Sequence, residues 1–396
     1  MIPRIIFGVL ALIASAQLSW AQGPVQEPGG TAADTQLAIT NPDEFAWQLF
    51  LFLNRQASDG IAGVADPTKS ILQFDPDKDV VWETWALASG NGASQQGSEV
   101  YKPRGEKPGE WKDLPRNAAA PVPKVFSVPT KSILSSLRGQ PDLLVAPLAP
   151  LGQEVRMNQA TFNFVRDQGL YFTQGLEAKL TLAKATQNPS LISFPAAAKE
   201  IKAQWKRLDM SKEAEEKSRF HWRKVGNDLF KLTALHVITK DLPAWFWCDF
   251  VHVDFEHSHG AQLDSRDTTT RTSPSVPTPP AKGAVEGERR ELTGSKWANY
   301  RLRGTQTNFI DTRGRPIVLG NGEIETEFPD QSSCMACHAR ATIGVLDAQN
   351  RLKHLSGGED ANVQPPNPDL FGRQGAIDFL QSDFIWSAPF RAQAQP

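Results

Sequence analysis

Two hydrophobic rhythms run along the chain, and each predicts a different kind of element. Between residues 41 and 54, Phe45, Leu49, Phe52 and Leu53 recur at helical spacing, with Trp47 and Phe50 beside them. Ahead of them stands Asn41-Pro42-Asp43-Glu44, an N-cap, a proline at the first helical position and two acids against the positive end of the dipole. This predicts a largely buried helix that ends near Asn54. A second apolar run, Val80 to Leu87, reads as core, whereas residues 89–125 are polar and full of Gly and Pro and read as loop. The middle of the chain changes to period two. Ile201, Ala203 and Trp205 alternate with Lys202, Gln204 and Lys206, the pattern of a half-buried strand.

Two further apolar runs, Phe230 to Lys240 and Trp245 to Phe255, flank Asp241-Leu242-Pro243-Ala244 and predict a β-hairpin with a four-residue loop. Pairing Ile238 with Phe246 places Leu232, Ala234, His236 and Ile238 on one face with Phe246, Cys248, Phe250 and His252. Two histidines then share a predominantly apolar wall. Lys296 to Asp311 and Pro316 to Glu325 read as strands around an Arg313-Gly314-Arg315 turn. The fold class expected is α+β, β-rich in the centre with flanking helices and unlike a small all-α domain.

The non-periodic stretches suggest how the chain is divided. Residues 1–21 have a basic start at Arg4, an apolar run and small side chains at Ser19 and Ala21, the pattern of a signal peptide cleaved after Ala21. Residues 22–38 read as a flexible leader, and the Ser/Thr/Pro/Gly tract at 264–288 as a linker or long loop. That leaves an α+β domain at 39–263 and a C-terminal region at 289–396. No stretch after the leader reaches transmembrane length, so the mature protein is expected to be exported, periplasmic or secreted.

Composition narrows the function classes. Lys and Arg number 42 against 44 Asp and Glu, so the basic excess that nucleic acid would require is missing. Hydrophobic residues make up 40% of the chain, enough for a sizeable core. With 3 cysteines, a disulfide scaffold is excluded.

Two of those cysteines carry the chemistry. Cys334-Met335-Ala336-Cys337-His338 is the C-x-x-C-H pattern of c-type haem attachment. On one turn of helix both thiols can reach the haem vinyl groups as thioethers, and the next residue presents its imidazole to the iron from the same side. A structural zinc site would need a second cysteine pair, and a thioredoxin-like pair would follow a βα unit rather than the polar loop after Gly320-Asn321-Gly322.

Together with the export signal, Ser332-Ser333-Cys334-Met335-Ala336-Cys337-His338-Ala339-Arg340-Ala341 resembles secreted mono-haem proteins of the bacterial cytochrome c family. Phe45-Ala46-Trp47-Gln48-Leu49-Phe50, Val81-Trp82-Glu83-Thr84-Trp85 and Leu319-Gly320-Asn321 resemble scattered blocks of its large, poorly characterised members. The resemblance implies one haem c on Cys334 and Cys337, with His338 as proximal iron ligand. It implies no defined substrate. The chain departs from small soluble cytochromes c in one respect: no methionine follows His338, and outside the motif only Met157 and Met210 remain in the mature chain. A Met/His iron is therefore open only through the N-terminal part of the chain, and the histidine candidates for the sixth ligand are His236, His252 and His354.

Other residue clusters weigh less. His257 and His259 with Asp254 and Glu256 are metal-ligand types, but strand alternation separates the histidines from the acids. Asp75-Pro76-Asp77-Lys78-Asp79 fails as a calcium loop, because Val80 stands where glycine is needed. His221 has no distinguishing context, and Cys248 reads as a buried, unreactive thiol. The expected function is periplasmic electron transfer with a redox partner protein. The alternative is a haem-dependent oxidoreductase with an open iron position, acting on peroxide, a nitrogen oxide or an organic substrate.

Overall fold

A computed structural model describes residues 26–73, 75–90, 94–114, 116, 151–255, 292–324, 332–346, 352–353, 355, 364–373 and 375–396. Helix α1 (Ala32–Thr40) begins at Thr31, whose hydroxyl accepts from Asp34 N while the Asp34 carboxylate accepts from Thr31 N, a reciprocal capping box. The expected leader is thus helical over its second half, because this cap offsets a weakly apolar sequence. Helix α2 (Pro42–Leu53) follows and has the predicted bounds.

The remaining chain builds a mixed α+β architecture around a seven-stranded antiparallel sheet. Its strands are β1 (Ala86–Leu87), β2 (Leu151–Met157), β3 (Lys199–Arg207), β4 (Trp222–Val225), β5 (Asp228–Thr239), β6 (Phe246–His252) and β7 (Tyr300–Gln306). The order is β1-β2-β3-β5-β6-β7, with β4 also paired to β5. Helices α3 (Gln159–Asp167) and α4 (Thr173–Thr186) lie between β2 and β3, and α5 (Glu213–Arg219) precedes β4. After β7 come α6 (Cys334–His338), a two-stranded pair of β8 (Thr342–Ile343) and β9 (Leu380–Gln381), and α7 (Ser387–Arg391).

Both faces of the sheet are covered. One side packs Ile201, Trp205, Leu235, Val237, Phe246, Cys248 and Phe250 against α2 and Trp82. The other packs Ile238, Trp247 and Ala198 with α3, α4, Leu319, Cys334 and Met335. This explains why β3 is not half-buried as its alternation suggests: Glu200 and Gln204, on its polar side, are buried beneath the second layer.

The hairpin forms with a different loop and register. Six residues, 240–245, connect β5 and β6, and Trp245 adopts a left-handed backbone at φ 62°. Ile238 pairs with Trp247, and Phe246 with Thr239, one residue away from the predicted alignment. A one-residue slip exchanges the faces of the sheet. His236 now lies opposite Asp249 and shares its face with Trp247 and Ile238, while His252 goes to the other side with Phe250 and Cys248. The two histidines do not share a wall.

The C-terminal region contributes β7 to the same sheet, beside β6, so the proposed boundary at 264–288 divides one sheet rather than two. Residues 264–288 themselves lie outside the described residues. Of the strand expected at 316–325, the described part forms only isolated bridges, Ile310 with Pro316 and Leu319 with Ser333. Pro316 can give no ladder hydrogen bond, and the glycines after Leu319 favour a turn.

Candidate cofactor site

Helix α6 is a single turn held from both ends. Its N-cap Ser333 accepts from Ala336 N at 3.3 Å, and Gln306, the last residue of β7, donates to Ser333 Oγ at 2.8 Å and accepts from Met335 N at 3.1 Å. Cys334 N donates to Leu319 O at 3.1 Å, which ties the turn to the segment after β7. Met335 is wholly buried as the apolar anchor, so the motif's other residues face a fixed direction.

Cys334 and Cys337 are not joined as a disulfide; the first is buried and the second half-buried. The Cys334 thiol donates to Leu319 O at 3.1 Å. His338 Nδ1 donates to Phe384 O at 2.7 Å, which leaves Nε2 with the lone pair that binds metal. The acceptor carbonyl is itself presented by strained backbone, because Asp383 and Phe384 both have positive φ, 50° and 68°. From the other side Trp386 Nε1 donates to Cys337 O at 3.2 Å. Burial lowers the His338 pKa to about 4, against the opposing effect of the Phe384 carbonyl. The imidazole is neutral at pH 7, the form in which histidine ligates.

The sheet supplies the opposing wall. Trp247 stands 4.7 Å from the His338 ring and His236 6.1 Å, measured between ring centres. His236 Nδ1 lies 4.0 Å from Cys334 Sγ and 3.9 Å from Asp249 Oδ1, and Asn321 Nδ2 donates to that carboxylate oxygen at 2.9 Å. Burial, with the neighbouring His338 and Lys202, keeps His236 far below its ordinary pKa and neutral.

Of the sequence candidates, the fold brings together Cys334, Cys337, His338 and His236. It excludes His252, which stacks on Phe220 at 3.6 Å between ring centres and faces Arg219 O across the sheet from the motif. His354, His257 and His259 lie outside the described residues. Met210 is 58% exposed, and Met157 is buried in the second core, the one that also takes Cys334 and Met335. Cys248 is wholly buried among apolar side chains, and desolvation pushes its thiol pKa up.

Sequence reasoning missed Asp249, Asn321, Trp247, Phe384 and Gln306. Asp249 offered a signal, a charged residue inside an otherwise apolar strand. Phe384 acts through its carbonyl, which leaves no trace in side-chain type.

The donor set fits a c-type haem. Two thiols stand one turn apart on α6, followed by a neutral imidazole whose Nδ1 is already engaged, and the aromatic ring of Trp247 lies against that imidazole with Phe384 beyond it. Among the described residues, the cluster whose metal-ligand atoms actually converge is a different one, His236, Asp249 and Cys334, within 4.8 Å of one another. No protein-family model, no characterised protein and no solved structure compared with the chain matches it.

Proposed function

We propose that this protein is an exported electron carrier with one haem c joined to Cys334 and Cys337. One observation carries the reading: a C-x-x-C-H sequence on a single helical turn, with the histidine's Nδ1 held by the Phe384 carbonyl. Cys334 and Cys337 would hold the group as thioethers, each S–H adding across one vinyl group, which would keep the cofactor on the chain outside the cell. His338 would hold the iron through Nε2, the nitrogen left with a lone pair while Phe384 O accepts from Nδ1 and fixes the plane of the ring. When bound, the haem supplies one-electron chemistry at its iron. His236 on β5 is the sixth ligand in this reading, since it faces His338 beside Trp247. A second redox protein takes or gives the electron. No described helix is long and apolar enough to cross a membrane.

The exported protein, purified and denatured, should retain its haem and show the pyridine spectrum of a c-type group. Haem extracted by acid–acetone would defeat the proposal. Cys334→Ala and Cys337→Ala should each weaken attachment, and His338→Ala should remove the proximal ligand. With His236 as sixth ligand the ferric protein is low-spin, and His236→Ala turns it high-spin while His252→Ala does not. A wild-type iron that is already high-spin and binds cyanide or carbon monoxide readily would favour the oxidoreductase alternative, because substrate chemistry needs an open coordination position.

A further inference from the structure

Beneath α6, three donors of different chemistry meet on rigid supports. His236 and Asp249 are directly opposed residues of β5 and β6, and Cys334 is pressed onto them by the helix turn. His236 Nδ1 lies 3.9 Å from Asp249 Oδ1 and 4.0 Å from Cys334 Sγ, and all three residues are buried. Tetrahedral zinc, with bonds of roughly 2.0–2.3 Å, sets neighbouring ligand atoms about 3.5 Å apart. The cluster, whose ligand atoms lie within 4.8 Å of one another, reaches that spacing by side-chain movements of about 1 Å.

The donor types also agree. Thiolate, imidazole and carboxylate are the three zinc ligands of proteins, and three of them with one open position make a common coordination set. Asp249 has an outer partner, since Asn321 Nδ2 donates to its carboxylate. The Cys334 thiol donates to Leu319 O, a bond that is given up when the thiol loses its proton to bind metal. Lys202, paired with His236 in the register, is a cation felt at that imidazole, and the carboxylate and thiolate charges offset it.

We propose that, in the chain whose cysteines carry no haem, His236, Asp249 and Cys334 bind one thiophilic divalent cation of the zinc type. Binding forms a sulfur–metal bond as the Cys334 thiol releases its proton to solvent, with no change of oxidation state. The proposal does not rest on the haem reading, but the two states exclude each other. A thioether at Cys334 has lost its negative charge and releases the metal, and a bound metal withholds Cys334 from haem attachment. Cys337 takes no part in the metal site. That asymmetry within the cysteine pair is what the experiment reads.

The full-length, haem-free, reduced protein would be titrated with Co²⁺ and then Zn²⁺. One equivalent of cobalt should give a thiolate charge-transfer band with tetrahedral d–d bands, and zinc should displace it. Cys334→Ala should abolish the signal, and Asp249→Asn and His236→Gln should each weaken binding at least tenfold. Cys337→Ala should bind as the parent does. Circular dichroism of each variant separates lost binding from lost fold, and Zn²⁺ should protect Cys334 but not Cys337 from alkylation by iodoacetamide. Absence of stoichiometric binding would overturn the proposal. So would loss in Cys337→Ala with binding intact in folded Asp249→Asn and His236→Gln, which would place the metal on the cysteine pair. Failure of haem attachment in the exported protein would leave all these outcomes unchanged, so the two readings fail separately.

Discussion

Glu200, on the polar side of β3, ends in the second core with Ser387 Oγ donating to its carboxylate at 2.6 Å. Tyr101, 3.4 Å from the same serine hydroxyl, completes the cluster. Burial raises the Glu200 pKa to about 7, and Ser387, Arg391 and Lys202 oppose the shift only in part. The folded protein therefore binds a proton that the unfolded chain has released, in the window between the ordinary glutamate value of 4.5 and about 7. Stability falls as pH rises through that window and levels off above it, by at most roughly 3–4 kcal/mol at about 1.4 kcal/mol per unit. Glu200→Gln keeps an acceptor for Ser387 and loses the titration. Urea unfolding at pH 5 and pH 8 should show the variant gaining on the parent at pH 8, and an equal difference at both values would remove Glu200 as the cause. The same scale shows what could be read of the site beforehand. Cys334, Cys337 and His338 are neighbours in sequence and were legible as a motif. Asp249, Asn321 and Phe384 reach the motif through folding contacts, from β6, from the segment after β7 and from the segment after β9, and no local pattern encodes such contacts.

Elements divide in the same way between local and distant causes. Helix α2 was legible because its cap residue, its proline and its apolar face are all contained in one stretch of chain. The β5–β6 register was not, because it depends on a left-handed Trp245 that lengthens the loop and reverses the face on which every later side chain falls. His252 was lost as a ligand candidate for that reason alone. A third element shows how one side chain can join several. Asn158 caps α3 by accepting from Thr161 N at 3.1 Å, accepts from Lys199 N of β3 at 3.0 Å, and donates to Ala197 O at 2.8 Å. Asn158→Ala removes a cap and leaves buried groups unsatisfied, which should cost about 2 kcal/mol in denaturant unfolding. Asn158→Asp retains the acceptor and should recover part of it. A loss within a few tenths of a kcal/mol for the alanine variant would mean that β2, α3 and β3 are held by packing alone.

Across the whole molecule, composition suggested a linker and two units, yet the sheet takes β6 from one side of that tract and β7 from the other. Its two faces serve two cores, with α2 and Trp82 on the first and α3, α4 and the haem motif's segment on the second. Neighbouring positions on β5 serve different cores: Leu235 points into the first and Ile238 into the second. A shared sheet cannot lose one layer without exposing apolar residues of its own, so the two cores should unfold together. Calorimetry should show a single transition whose measured enthalpy equals the van't Hoff value. Leu235→Ala and Ile238→Ala each empty a buried volume and should each cost about 2–5 kcal/mol. Both should lower the same midpoint, one acting through the first core and the other through the second. Two resolved transitions, with Leu235→Ala moving one and Ile238→Ala the other, would restore the two-unit division and would free the face that carries Cys334 and His338 to open while the first core stays folded.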